Sequence, residues 1–202
     1  MKNIDYCCKS GLPLADENAV WDRMFKEETQ VTAKSKKTLP ISPSCFVCGT
    51  HNPAGLQGRF YVEDDTVRMP LTIRDHHCGY PDVAHGGIVA SALDECMAWA
   101  ATRALGLMCV TGRLSIRYQR LVPAKVRLEV RARVSKATRR IAYTEAVLVD
   151  AEGETYAKSE GTFMPLSAEQ TLEIDSHLIY SGGEERLFDH LRKPGDIIKN
   201  HP

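Results

Sequence analysis

The sequence has no charge imbalance: 26 Lys and Arg stand against 26 Asp and Glu over 202 residues. No overall field is available to recruit nucleic acid or an acidic membrane. It also lacks any apolar run approaching the ~18 residues that a membrane span needs. The first fifteen residues include Asp5 and Lys9, with Asp16 just beyond, and no apolar stretch of the kind a secretory leader carries. Regular cysteine spacing is missing too. The seven cysteines, at 7, 8, 45, 48, 78, 96 and 109, are an odd count. Cys96 and Cys109 sit in apolar stretches, as small buried thiols do, so a reducing, cytoplasmic setting is expected rather than a disulfide framework. Only one Cys-x-x-Cys is present, Cys45 to Cys48. Its spacing suits a metal, and His76, His77 and Cys78 could add ligands. With no second pair these read as packed or exposed thiols, and no metal or cofactor is expected.

What is there falls into three zones. Residues 1–44 are polar, with a helix expected from Glu17 to about Lys34 behind Asp16 as N-cap. Lys34-Ser35-Lys36-Lys37, Pro40 and Pro43 then read as a linker whose short basic cluster is solvated. Residues 45–166 carry the compact domain. Arg59 to Glu63 and Val67 to Ile73 are strand-like and joined at Asp64-Asp65 in a hairpin. A helix runs from Gly86 to about Leu105 and is closed by Gly106. Four strands are expected after it, over Met108–Leu121, Lys125–Lys136, Arg139–Asp150 and Thr155–Met164. The short links between them favour antiparallel neighbours. Residues 167–202 turn polar and read as a tail.

The helix decides the architecture. Ile88, Val89, Ala90, Ala92, Leu93, Cys96, Met97, Ala98, Trp99, Ala100 and Ala101 leave no wide polar face, so it must be buried on nearly all sides. One long helix wrapped by one curved antiparallel sheet, an α+β arrangement, satisfies this.

Two features of that helix could carry chemistry. His85-Gly86-Gly87 stands where a loop enters it, and the first-turn amides have no intrahelical partner. Such amides can polarise a carbonyl and hold a developing oxyanion; equally, the glycines could serve only close packing of helix on sheet. Asp94 lies farther along, where an unpaired carboxylate would cost several kcal/mol, which marks it as paired or functional. Glu95 points about 100° away and reads as ion-paired or water-facing. Gly86 and Asp94 are separated by roughly 12 Å of helix rise, too far to act on one atom within one chain. Two antiparallel copies of the helix would bring Gly86 of one beside Asp94 of the other. A site composed in this way requires a dimer.

Several motifs share one resemblance. They are Cys45-Phe46-Val47-Cys48-Gly49 with Asn52 and Gly55-Leu56; Gly79-Tyr80-Pro81; His85-Gly86-Gly87; Leu93-Asp94-Glu95 ahead of Ala98-Trp99-Ala100; Thr111 through Tyr118-Gln119-Arg120 with Pro123; and Gly161-Thr162-Phe163. From Cys45 to about Pro165 the chain resembles the hotdog-fold acyl-CoA thioesterase superfamily, in its PaaI-like (phenylacetyl-CoA thioesterase-type) branch. The resemblance implies a hotdog fold and hydrolysis of acyl-CoA thioesters to free acid and CoA. It places the nucleophile or general base on Asp94 and the carbonyl-polarising amide on Gly86. Thr111 would orient water beside the acid, and His85 would support the loop or the thioester. Many relatives carry Asn or Gln where Gly79 stands here, so substrate positioning must differ. CoA carries phosphates, and Arg117, Arg120, Arg139 and Arg140 are candidates to meet them; Gly87 is a further substrate-binding position.

Other classes fit these residues less well. A non-catalytic acyl-CoA-binding or regulatory hotdog protein is the alternative. A DNA-binding version would want a basic helix-turn-helix in front, but Glu17, Asp22, Glu27 and Glu28 outnumber Arg23 and Lys26 there. A hydratase would need an Asp/His pair at the loop-to-helix junction; Asp82 and His85 lie close, yet the position of Asp94 favours the thioesterase. The expected partners are acyl-CoA and a second copy of the chain, in a homodimer with shared active sites that leaves a homotetramer open.

Overall fold

The computed structural model describes residues 36–193; the helix expected over 17–34 lies outside them. Nine strands and two α-helices are built from this stretch. They are β1 (Lys37–Thr38), β2 (Tyr61–Glu63), β3 (Thr66–Thr72), β4 (Cys78–Tyr80), β5 (Val83–Ala84), α1 (Gly86–Leu105), β6 (Cys109–Tyr118), β7 (Arg127–Thr138), β8 (Ile141–Asp150), β9 (Thr155–Pro165) and α2 (Ala168–Asp175). Seven strands form one antiparallel sheet in the order β1-β2-β3-β7-β8-β9-β6, and β4 and β5 make a separate small hairpin.

Local chemistry accounts for the joints. Asp64 and Asp65 both take positive φ, 47° and 61°, as the two central residues of a tight hairpin turn require. Pro70 sits inside β3, where a proline would normally break a ladder. The β2 pairing stops at Arg68, so the missing N–H of Pro70 falls beyond the paired stretch on that side. Gly106 ends α1 in the left-handed conformation, φ 65°, with its N–H donating to the Thr102 carbonyl, a closure that disfavours any residue with a Cβ.

α1 packs into the sheet, touching β3, β6, β7, β8 and β9. Leu93 and Met97 are fully buried on it, facing a core that includes Met69, Val130, Leu148 and Phe163. Each such side chain contributes about 1.5–3 kcal/mol through apolar burial. One strip stays partly open. Gly87 is exposed, and Ala90, Ser91, Asp94 and Ala98 are half-buried, positions that share one helix face at 100° per residue. The apolar composition therefore buries the helix on most of its circumference and leaves a seam of small residues around Asp94.

The core extends past the 45–166 stretch at both ends. β1 joins the sheet edge, and Leu178 and Phe188 are buried with the domain's other apolar residues. The segment read as a polar tail contains α2, started by Ser167, whose hydroxyl accepts from the Gln170 amide while the Gln170 side chain accepts from the Ser167 amide. This capping box and the two buried anchors fold a segment whose average composition is polar.

Candidate active site

His85 ends the β4–β5 hairpin and caps α1. Its backbone is extended, φ −64° and ψ 136°, and its Nδ1 accepts from the Gly87 amide at 3.0 Å. An accepting Nδ1 puts the proton of a neutral imidazole on Nε2. The His85 carbonyl accepts from the Ile88 and Val89 amides. Of the four first-turn donors, three are thus taken by His85. The fourth, Gly86 N–H, is at the first helical position, where no intrahelical acceptor exists, and the residue is exposed. A side chain at Gly87 would press on His85 Nδ1 at 3.1 Å, and one at Gly79 would meet His85 Cδ2 at 3.2 Å. Gly79 therefore makes room for the His85 ring.

Tyr118 completes this end of the site. Its hydroxyl donates to the Gly86 carbonyl at 2.7 Å from the last residue of β6. In sequence Tyr118 belongs to the Tyr118-Gln119-Arg120 motif, which assigns it no task. Its contact joins positions 32 apart, and no local pattern shows it.

Asp94 lies two turns along α1, on the partly open seam. Thr111 Oγ1 donates to its Oδ1 at 2.8 Å. No Lys, Arg or His among the described residues forms an ion pair with Asp94. Burial pushes its carboxyl above the ordinary carboxylate range, and the Thr111 bond pulls partly back. Thr111 is on β6, the outermost strand of the sheet, which is exposed along much of its length and pairs with β9 on one side. Thr111 and Tyr118 thus reach from one edge strand to the two ends of the same helix face.

Glu95 does not follow the ion-paired or water-facing reading. It is half-buried, and its Oε1 accepts from Cys45 Sγ at 3.6 Å and Cys48 Sγ at 3.8 Å. The physical reason is the turn of the helix: 100° from Asp94, its side chain meets the Cys45–Cys48 loop rather than solvent. Burial and the adjacent Cys45 raise its carboxyl to about 8. The neighbouring Cys48 thiol holds Cys45 below the ordinary thiol range, and the same contact together with burial pushes Cys48 above it. His76, His77 and Cys78 are not part of this group. His77 is buried with Nε2 against the Ala54 carbonyl at 2.9 Å, and Cys78 Sγ donates to the Arg74 carbonyl.

The arginines expected to meet phosphate are spread out. Arg117 lies exposed on β6 next to Tyr118, and Arg120 follows and pairs with Glu154 at 2.8 Å on the surface. Arg139 and Arg140 form the exposed turn between β7 and β8.

The family model described as "Thioesterase superfamily" matches residues 82–157, the stretch that holds the His85 cap, Asp94, Thr111 and Tyr118. Over that stretch the chain is similar to the thioesterase superfamily. Solved thioesterase-superfamily structures share its fold. The E. coli PaaI protein from the phenylacetic acid degradation operon aligns with a TM-score of 0.52 at 19% identity, over 55% of this chain and 81% of its own. The crystal structure of another thioesterase superfamily protein aligns with a TM-score of 0.55 at 23% identity, over 73% of this chain and 78% of its own. At such identities the likeness concerns architecture, and the architecture is the hotdog. The sequence matches no curated protein. Among the described residues no helix is long and apolar enough to cross a membrane.

Proposed function

We infer that the protein hydrolyses acyl-CoA thioesters in the cytoplasm, as a homodimer whose two active sites each draw on both subunits. The observation that carries this reading is Asp94: a half-buried carboxylate without a cation, oriented by the Thr111 hydroxyl, on the same open helix face as an exposed first-turn amide. A raised carboxyl poised near a site surface suits a general base or a nucleophile. The Gly86 N–H is a preorganised donor for a carbonyl oxygen that gains charge on attack. His85 supports it by occupying the neighbouring amides, and Tyr118 by holding the Gly86 carbonyl.

The two ends of this machinery are separated by roughly 12 Å along one helix. A two-fold related copy, with the small-residue seams of α1 facing each other antiparallel and the β6 edges adjacent, pairs Gly86 of one chain with Asp94 of the other. A ten-residue exposed edge strand is also a surface that proteins normally cover. Asp94 then attacks the carbonyl carbon directly, with CoA thiolate leaving and water cleaving the resulting anhydride, or it takes a proton from the attacking water. Arg117 and Arg120, on either side of Tyr118 in sequence, serve as phosphate contacts for CoA, with Gly87 and Arg139 as further binding positions.

The test is free-thiol release from short, long and aromatic acyl-CoAs. Wild-type protein turns over at least one of them, and Asp94→Ala lowers the rate at least ~100-fold, the size expected for loss of a general base or nucleophile. Binding of acyl-CoA without thiol release by wild-type protein would contradict the reading and leave a binding module.

A further inference from the structure

A second site lies one helix position from Asp94, facing away from it. Cys45 Sγ, Cys48 Sγ and one carboxylate oxygen of Glu95 lie within 4.8 Å of one another. They are the one group of three or more His, Cys, Asp or Glu with this proximity among the described residues. We propose that Cys45, Cys48 and Glu95 form a binding site for a thiophilic divalent cation, Zn²⁺ foremost, that fastens the Cys45–Cys48 loop to the central helix.

The geometry fits the ion. A tetrahedral Zn²⁺ with thiolate bonds of about 2.3 Å and a carboxylate bond of about 2.0 Å has sulfur-to-oxygen edges of about 3.5 Å. The two sulfur-to-oxygen distances here are 3.6 and 3.8 Å. Closing them onto a cation takes a few tenths of an ångström, within the reach of a side-chain adjustment. Two thiolates with one carboxylate is a ligand set that suits Zn²⁺ and disfavours Mg²⁺ or Ca²⁺. With three protein ligands the fourth tetrahedral position falls to water.

The loop is built to hold both sulfurs in place. The Val47 amide donates to Cys45 Sγ at 3.2 Å and the Ser42 amide to Cys48 Sγ at 3.4 Å. Hydrogen bonds of this sort orient metal ligands and are part of a site's design. The turn itself is tight: the Gly49 amide donates to the Cys45 carbonyl at 2.9 Å, and a Cβ on Gly49 would meet the Cys45 and Pro43 carbonyl oxygens at 2.4 and 2.5 Å. Leu56 and Gly58 amides donate to the Phe46 and Val47 carbonyls and fix the residues between the cysteines. Arg59 donates to the Cys48 carbonyl at 3.0 Å, so a guanidinium stands behind a cluster that, with Zn²⁺ bound to two thiolates and a carboxylate, carries one net negative charge. Glu95 ion-pairs with no Lys, Arg or His among the described residues. A half-buried carboxylate directed at two sulfurs is accounted for by a cation between them.

The two elements that supply the ligands are 47 to 50 residues apart in sequence. A bound ion would therefore hold the loop against α1 beside Asp94 without touching the thioester. This proposal does not depend on the hydrolase reading.

The test uses the full chain, reduced and stripped of metal, titrated with Zn²⁺ against a chromophoric chelator and separately with Co²⁺. The expected result is one Zn²⁺ per chain, a rise in Tm on binding, and a Co²⁺ spectrum with thiolate charge-transfer and intense tetrahedral bands. Glu95→Gln, nearly isosteric, should weaken Zn²⁺ at least ~10-fold, and Cys48→Ser should exceed the 10–100-fold that losing an outer-shell partner costs. Absence of Zn²⁺ uptake by the reduced wild-type chain would overturn the proposal. So would a Co²⁺ spectrum without thiolate bands, or equal Zn²⁺ affinity in Glu95→Gln. The wild-type stoichiometry and spectrum decide the matter even if a cysteine variant does not fold.

Discussion

Thr111 donates its hydroxyl proton to Asp94 at 2.8 Å across a gap of seventeen residues in sequence, from the edge strand of the sheet to the open face of the central helix. The bond orients the carboxylate without neutralising it. It leaves the second oxygen of Asp94 for water or a thioester carbonyl, and it sits on the strand nearest the expected partner subunit.

The electrostatics of this pair set the acid side of the pH profile. In the proposed reaction Asp94 acts ionised; burial raises its pKa and Thr111 lowers it. As pH falls through that raised pKa the working form is lost, so kcat/KM declines at a higher pH than an ordinary carboxylate near 4 would dictate. Thr111→Val removes the lowering contribution. The acid limb should then move further up, and kcat/KM at neutral pH should fall by roughly 10-fold or more, in line with one hydrogen bond to a charged group. A pH–rate profile of both proteins checks this; superimposable acid limbs would count against Asp94 as the titrating group.

The same shift has a stability consequence of definite sign. A carboxyl whose folded pKa is raised binds protons more tightly in the folded state, so stability falls as pH rises from the unfolded value through the folded one. At neutral pH the ionised Asp94 is therefore a cost to the fold. Asp94→Asn keeps an oxygen that can accept from Thr111 and removes the charge. Its Tm at pH 7 should exceed that of the wild type while turnover is lost, and the Tm gap should narrow on acidification. A Tm below wild type at every pH would mark Asp94 as structural.

Phe188 is 1% exposed and belongs to the domain core, although it lies beyond residue 166. Phe188→Ala should cost about 3–5 kcal/mol of unfolding free energy, as large core truncations do, measurable by denaturant titration. A cost below 1 kcal/mol would show that the C-terminal segment contributes little to the fold.

The parts of this molecule that were legible beforehand are those with a local signature. The span of α1 could be read from the glycines at both ends and the apolar residues between them, and the β2–β3, β7–β8 and β8–β9 pairings from short turns such as Asp64-Asp65; β6, expected beside β7 in a four-strand meander, instead lies at the sheet edge against β9, and β7 pairs with β3. The 12 Å separation of Gly86 and Asp94 follows from helix rise alone. Leu178 and Phe188 carry no such signature, because Leu178-Ile179-Tyr180 and Leu187-Phe188 are short apolar clusters in a polar stretch that set neither a helical nor a strand period. Glu95 was misjudged for a related reason: its surroundings come from a loop about fifty residues earlier, and only the folded chain places Cys45 and Cys48 against it. Tyr118, bonded to a backbone carbonyl, belongs to the same class of long-range contact.

The central claim is that one active site takes its amide from one subunit and its acid from the other. Gly86→Pro deletes the amide at a position where proline is tolerated, the first residue of a helix, and His85 before it already has the extended backbone that proline demands. Gly86→Pro and Asp94→Ala should each be nearly inactive alone. After subunit exchange of an equal mixture, half the dimers are mixed and each holds one intact site, so activity should return to about a quarter of wild type. Mixed dimers with no more activity than the two separate variants would contradict the shared site.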